Sequence, residues 1–139
     1  MKLSVEFSFD AAHRIMGHRG KCAWLHGHTY RIGVTVEADA LDRLGMVMDF
    51  DDLKALVEKH LLGRWDHATL LREDDPLGPA ITRVQAEAVQ KVVTFPQNPT
   101  AEVLAHAAVE ALTSALPAGV RLSRLIVWES PTCSSEVEP

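Results

Sequence analysis

Two stretches near the N-terminus alternate apolar and polar residues with a period of two, and this pattern limits most strongly how the chain can fold. The first thirteen residues place His13 in phase with an apolar face. The second stretch, about 26–37, places His26, His28 and Tyr30 on one face. Because successive side chains of a strand point to opposite faces, both stretches are predicted to be half-buried strands, with the histidines on their apolar sides.

Helical periodicity takes over in the middle of the chain. A first helix is predicted to begin near Asp49, with Asp49 or Asp51 as its cap, and to stop at Gly63. A second is predicted within 81–92, after an acidic turn. A third is predicted to begin at Thr100. The apolar stripes of the first two helices are formed by Phe50, Leu53, Leu56, Val57 and Leu61, and by Ile81, Val84, Ala88, Val89 and Val92.

One more clear strand is predicted at 121–129, with a short extended piece at 92–95 and a weak strand at the C-terminus. Strands that flank a helical block indicate the α+β class. We therefore expect an antiparallel sheet with helices packed on one face, in a single domain over 1–139.

Composition excludes several function classes. With 139 residues and a net charge of -5, the chain has no basic cluster of the kind that binds nucleic acid. The first seven residues lack the apolar region of a signal peptide, and no apolar run is long enough to span a membrane. Both cysteines, Cys22 and Cys133, are expected to be reduced. We therefore expect a cytoplasmic protein without nucleic-acid or membrane partners.

The three histidines on the two N-terminal strands form the strongest candidate site. His26 and His28 are two positions apart and so share a strand face, and His13 ends the preceding strand on its apolar side. A single inward histidine would most simply be a core residue satisfied by hydrogen bonds. Three neutral imidazoles together suit Zn²⁺ and leave its fourth position open, as a catalytic site requires.

Cys22 lies in the loop 14–25 that joins the two strands, four residues before His26. A thiol near a dication or a histidine ionises more readily, so Cys22 is a candidate base or nucleophile. Two alternatives remain open: it is a small buried residue, or it is the fourth ligand of a closed, structural zinc site.

Four further residues are candidates for chemistry. Asp66 and His67 are adjacent in a predicted loop, where they could orient one another or simply form a surface turn. Glu129 is in phase with the apolar residues of the last strand, so its carboxylate should meet a cation or accept hydrogen bonds from a ligand. Thr100 opens the third helix, whose N-terminus could offer donors to a ligand.

Taken together, these residues resemble the 6-pyruvoyl-tetrahydropterin synthase and 6-carboxy-tetrahydropterin synthase family. The resemblance rests on Phe9-Asp10-Ala11-Ala12-His13-Arg14, Cys22-Ala23-Trp24-Leu25-His26-Gly27-His28, Met48-Asp49-Phe50, Asp66-His67, Asn98-Pro99-Thr100-Ala101-Glu102 and Glu129-Ser130-Pro131-Thr132. It implies a tunnelling fold, in which subunits pair their sheets into a barrel. It also implies a homohexamer of two trimers, with active sites at subunit interfaces.

The resemblance also implies roles for the candidate residues. His13, His26 and His28 match the zinc ligands, and Cys22 matches the catalytic thiol. Asp66 and His67 match the dyad that tunes the thiol. Glu129 matches the carboxylate that anchors the pterin ring, and Thr100, in the matching motif at 98–102, is expected to bind the substrate.

The spacing of Cys22 and His26, with three residues between them, resembles the bacterial 6-carboxy-tetrahydropterin synthases of queuosine biosynthesis. The resemblance then implies conversion of 7,8-dihydroneopterin triphosphate to 6-carboxy-5,6,7,8-tetrahydropterin, acetaldehyde and triphosphate. Pyruvoyl formation, aldolase-like side-chain cleavage and a non-catalytic zinc module are the alternatives. Arg14, Arg19 and Lys21 are candidate cations for the triphosphate, and Leu71–Phe95 is an extra segment relative to shorter members.

Overall fold

The computed structural model describes residues 1–84 and 91–139, which form a six-stranded sheet and its covering helices. The long N-terminal strands pair residue by residue along their length, so that His13 lies opposite His26 and Ala11 opposite His28. The strands are β1 (Lys2–His13), β2 (His26–Ala38), β3 (Ala68–Arg72), β4 (Val92–Phe95), β5 (Val120–Ser130) and β6 (Cys133–Val137).

The sheet has the strand order β4-β3-β1-β2-β5-β6 and is curled into a half-barrel. The pairs β1–β2, β2–β5 and β5–β6 are antiparallel, whereas β3 runs parallel to both β1 and β4. The candidate site residues His13, His26 and His28 therefore lie on the two central strands, at the end where β2 begins.

Within the described residues, four α-helices accompany the sheet. These are α1 (Phe50–Val57), α2 (Gly63–Trp65), α3 (Leu77–Val84) and α4 (Ala101–Thr113). A π-helical turn, Glu58–Leu62, joins α1 to α2 without a break, and a short 3-10 helix, Lys21–Ala23, lies in the loop between β1 and β2. Asp49 caps α1 by accepting from the backbone N–H of Asp51 at 2.7 Å, as the sequence predicts.

The core lies between one face of the sheet and the helices. Apolar side chains of alternate residues on β1, β2 and β5 pack against the buried stripes of α1 and α4, as Phe9, Ile32, Leu125, Leu53 and Leu104 do. On the other face of β1 the side chains from Lys2 to Asp10 are polar and exposed. This alternation is the reason that the inward-facing histidines of the same strands reach the protein interior.

The α+β class with helices on one face is confirmed, but the sheet is mixed rather than purely antiparallel. The sequence pattern predicts no strand at 68–72. Four of the five residues of β3 are buried, so the strand lacks the polar alternation that marks a half-exposed strand. It joins β1 over Ala11–His13, immediately beside the candidate ligands.

Two details of the predicted helices are wrong. Gly63 does not end the first helix, because its backbone is right-handed helical and the chain continues helically to Trp65. Phe50 and Val84 do not face the core: they are 52% and 81% exposed. Phe50 is the first residue of α1, and Val84 is the last residue of α3 that the structure describes. The predicted core positions Ala88 and Val89 lie outside the described residues.

The extra segment Leu71–Phe95 comprises the end of β3, helix α3 and strand β4, together with residues outside the described part.

None of the helices that the structure describes combines the length and the apolar character needed to cross a membrane.

Candidate active site

The three predicted metal ligands converge at one end of the central strands. Nε2 of His13 and Nε2 of His26 are 3.2 Å apart. One nitrogen from each of His13, His26 and His28 lies within 4.8 Å of the others. The in-register pairing of β1 with β2 produces this arrangement, because it sets His13 directly opposite His26 and beside His28.

Backbone carbonyls fix the orientation of two of these rings. Nδ1 of His13 lies 2.8 Å from the carbonyl oxygen of Pro99, and Nδ1 of His26 lies 2.6 Å from that of Trp24. A carbonyl oxygen can only accept, so each Nδ1 carries the proton and each neutral ring presents the bare lone pair of Nε2. This outer support is the usual partner of a metal-binding histidine.

The donor set fits a divalent cation. Burial lowers the pKa of His13 and of His28, which favours the neutral imidazole that a metal requires. Nε2 of His28 is buried and has no hydrogen-bond partner within the described residues. Unprotonated nitrogens crowded together repel one another, and a shared cation removes both the repulsion and the unpaired buried atom.

Glu129 reaches the same place from β5, the strand beside β2. Its carboxylate oxygens lie 3.9 Å from Nε2 of His13 and 3.7 Å from Nε2 of His28. The side chain is 29% exposed, so it is open to a ligand from solvent. A carboxylate at this point can accept paired hydrogen bonds from a ligand bound next to the cation.

Tyr30 forms the floor beneath the histidines. Its ring stacks on Phe9 and meets the rings of His13 and His28 edge-on, with centroid distances of 5.8 and 5.4 Å. Burial and the nearby charge of Glu129 raise the pKa of its hydroxyl, which stays protonated. From the sequence, Tyr30 is predicted only as part of an apolar face, although its phase with His28 indicates this position.

Cys22 lies in the 3-10 helix of the β1–β2 loop and is partly buried. Its carbonyl accepts a 2.7 Å hydrogen bond from the N–H of Ile15, which closes the loop at its base. Its thiol is not a member of the three-histidine cluster. Within the described chain the cluster thus consists of imidazoles alone.

Asp66 and His67 form a contacting pair, with Oδ2 of Asp66 3.0 Å from Nδ1 of His67. The backbone of Asp10 holds both, since its N–H donates to Asp66 and its carbonyl accepts from the N–H of His67. The N–H of Asp10 is the main cause of a lowered pKa of Asp66. His67 has a φ of 57°, a left-handed conformation that is uncommon for residues other than glycine and often marks functional positions.

This pair does not meet the histidine cluster within one chain. The carboxylate of Asp10 lies within 4.8 Å of ligand atoms of Asp66 and His67, so all three share one face of the sheet. Asp10 and His13 are three positions apart on β1 and therefore point to opposite faces. A single subunit thus carries the dyad and the histidine cluster on opposite sides of its sheet.

The remaining predicted residues, Thr100 and three cationic side chains, are not members of the histidine cluster. The side chain of Thr100 caps α4 by accepting from the N–H of Val103 at 3.4 Å. Arg19 and Lys21 are exposed in the β1–β2 loop. Arg14 is paired with a different residue: its guanidinium forms two hydrogen bonds with the fully buried carboxylate of Asp75.

The Arg14–Asp75 pair gives a pH-dependent contribution to stability. The guanidinium of Arg14 lowers the pKa of Asp75, so the stabilisation is complete above about pH 4 and is lost as the pH falls further. Asp75→Asn is expected to lower the free energy of unfolding at pH 7 by about 1.5–3 kcal/mol. Urea unfolding should show this difference shrinking below about pH 4.

The matched control is Asp74→Asn, which removes the adjacent, exposed partner of Arg72. It should change the free energy of unfolding little, because exposed ion pairs are screened by solvent. Equal effects of the two substitutions at pH 7 would contradict a special contribution from the buried pair.

Comparisons with known proteins point to one family. A protein-family model described as 6-pyruvoyl tetrahydropterin synthase matches residues 2–139. A Rickettsia felis protein named 6-carboxy-5,6,7,8-tetrahydropterin synthase is 36% identical over 140 residues, covering 99% of both chains. A Haemophilus influenzae protein of the same name is 35% identical, covering 99% of this chain and 98% of that one.

A solved structure of an uncharacterized Wolinella succinogenes protein superposes with a TM-score of 0.82 at 25% identity, covering 99% of this chain and 97% of that one. The family match extends over nearly the whole chain, including both strands of the histidine cluster and the strand of Glu129. The chain therefore belongs to the 6-pyruvoyl tetrahydropterin synthase family.

Proposed function

We propose that this protein is a zinc-dependent lyase that converts 7,8-dihydroneopterin triphosphate and water into 6-carboxy-5,6,7,8-tetrahydropterin, acetaldehyde and triphosphate. The observation that carries the proposal is the cluster of three inward imidazoles, with the carboxylate of Glu129 within 4 Å of two of them. The relatives named 6-carboxy-tetrahydropterin synthase support this choice of reaction.

His13, His26 and His28 would hold the zinc ion. Three imidazole ligands are typical of catalytic zinc, whereas structural zinc sites are normally closed by four protein ligands. The separation of Cys22 from the cluster therefore favours the catalytic interpretation over a structural zinc module. When bound, zinc would act as a Lewis acid toward oxygens of the substrate side chain.

The chain's own residues would bind the pterin and move its protons. Glu129 would accept paired hydrogen bonds from the guanidine-like edge of the ring, and Thr100 would line the same pocket. Cys22, as a thiolate, would remove and return protons at the substrate side chain. Since Arg14 is bound to Asp75, Arg19 and Lys21 are the better candidates to bind the triphosphate.

The Asp66–His67 dyad would take part in the active site of a neighbouring subunit. Its position on the face of the sheet opposite the histidines supports this, because one subunit alone cannot bring the dyad to its own cluster. In a homohexamer the sheets of the subunits would join into a barrel, with active sites at the interfaces. The dyad of one subunit would then face the histidine cluster of another. We further propose a cytoplasmic enzyme in queuosine biosynthesis, in line with the resemblance of its Cys22–His26 spacing.

Pyruvoyl formation is the second candidate, because the matching family model carries that name. Product identification distinguishes the two. Purified, zinc-loaded protein would be incubated with dihydroneopterin triphosphate and the products identified by mass spectrometry. We expect the carboxy product together with acetaldehyde, and neither product from Cys22→Ala.

The other outcomes each point to a different conclusion. A pyruvoyl-tetrahydropterin would assign the second candidate, and a pterin with its side chain removed would assign an aldolase-like reaction. No turnover by protein that retains its zinc would contradict the proposed substrate and favour a non-catalytic zinc module.

A further inference from the structure

Asn98 holds the loop that carries Cys22 through two hydrogen bonds that span the sequence. Its side-chain oxygen accepts from the N–H of Met16, and its side-chain nitrogen donates to the carbonyl of Met16, both at 2.9 Å. Asn98 and Met16 are 82 positions apart. Both polar groups of the Met16 backbone are therefore satisfied by one partly buried carboxamide.

The loop contacted by Asn98 is closed on itself at the same point. The N–H of Ile15 donates to the carbonyl of Cys22 at 2.7 Å, and the carbonyl of Ile15 accepts from the N–H of His18 at 3.2 Å. Ile15 and Met16 thus form the fixed base of the loop. Cys22 is bonded to that base through its own backbone, so the placement of the thiol depends on where Met16 is held.

The residue after Asn98 holds a metal ligand. The carbonyl of Pro99 accepts the proton of Nδ1 of His13 at 2.8 Å, and His13 is 1% exposed. Two consecutive residues before α4 thus hold two parts of the site that lie far apart in the sequence. Asn98 acts on the thiol loop, and Pro99 acts on the metal ligand.

Only a carboxamide fits this role. An aspartate in the same place would present two acceptors, so its second oxygen would face the carbonyl of Met16 and be repelled by it. An alanine would leave both groups of Met16 without this partner. The hydrogen-bond pattern also fixes which end of the amide is nitrogen, since the reversed amide would pair donor with donor and acceptor with acceptor.

We propose that Asn98 is a positioning residue that sets the Cys22 thiol relative to the histidine cluster, while Pro99 independently orients His13. The use of this placement in catalysis rests on the function proposed above. The placement itself can be measured without substrate. The variants are Asn98→Ala, which removes both bonds, and Asn98→Asp, which keeps the bond from the Met16 N–H.

The test follows Cys22 alkylation and metal affinity in a Cys133→Ser background, where Cys22 is the remaining thiol. In metal-loaded Asn98→Ala, we expect iodoacetamide to modify Cys22 about tenfold faster, because the loop opens more often without its two bonds. Asn98→Asp should fall between Asn98→Ala and the parent. Cobalt affinity and the visible spectrum of the cobalt-loaded protein should stay unchanged, since the Pro99–His13 bond remains.

The neighbouring, exposed Gln97 provides the control, and Gln97→Ala should match the parent protein in both measurements. With the substrate, the Asn98 variants should lose kcat and keep KM.

Unchanged alkylation in folded Asn98→Ala would overturn the proposal, and so would a parallel fall in cobalt affinity, which indicates general loosening of the site. If Asn98→Ala does not fold, Asn98→Asp alone decides by the same criteria. Absence of turnover in the parent protein, with faster alkylation in the variants, would contradict only the proposed substrate.

Discussion

Cys22→Ala is expected to reduce turnover by about 10²–10⁴-fold and to leave both metal content and melting temperature at the parent level. The loss is large because a positioned proton-transfer group acts only in the transition state. The fold should tolerate the change, since the contact that Cys22 makes with Ile15 uses its backbone carbonyl, which alanine also provides. Metal should remain bound because the cluster consists of three imidazoles.

Steady-state kinetics, metal analysis and thermal unfolding on the same preparations check this expectation. Cys133→Ala is the matched control, because Cys133 is exposed at the start of β6 and should be replaceable without loss of turnover. If Cys22→Ala loses metal and melts at a lower temperature, Cys22 is instead a fourth ligand and the structural-zinc alternative gains support.

His26→Ala is expected to abolish metal binding and, with it, turnover. Removal of a direct ligand should cost more than the roughly 10- to 100-fold in affinity that loss of a supporting hydrogen bond costs. His26 is the best position for this test because it is only partly buried, whereas His13 is part of the core. The ring of His26 can therefore be removed with less damage to the packing of the protein interior.

Metal affinity by chelator competition, with urea unfolding of the metal-free forms, checks this expectation. His106→Ala removes an exposed imidazole from α4 and should keep full metal affinity. Metal bound to His26→Ala with parent affinity would show that the three histidines do not form the binding site.

The secondary structure around the site could be predicted from the sequence to a large extent. Strands β1 and β2 and the inward phase of His13 and His28 follow from the period-two pattern, which is a local property of a half-buried strand. The same holds for the phase of Glu129 on β5. Capping residues likewise mark the beginnings of α1 at Asp49 and α4 at Thr100, because a cap acts within its own helix turn.

The parallel half of the sheet could not be predicted in the same way. Strand β3 is short and buried on both faces, so it has no alternation to distinguish it from a loop or a buried helix segment. Gly63 shows the same limit for helices. The sequence alone marked it as a stop, whereas packing of Leu61 and Trp65 keeps the chain helical through it.

The residue types and the strand phases of this protein follow from its sequence: three imidazoles and a carboxylate directed inward, and a thiol in the loop between His13 and His26. Which of these groups meet depends on the tertiary structure. Tertiary packing brings Glu129 to within 4 Å of two histidines and hydrogen-bonds Asn98 to Met16. It also pairs Arg14 with Asp75 and places the Asp66–His67 dyad on the face of the sheet opposite the histidines. The physical reason is that periodicity and capping act over a few residues, whereas these contacts join segments that approach one another only when the sheet and its helices pack together.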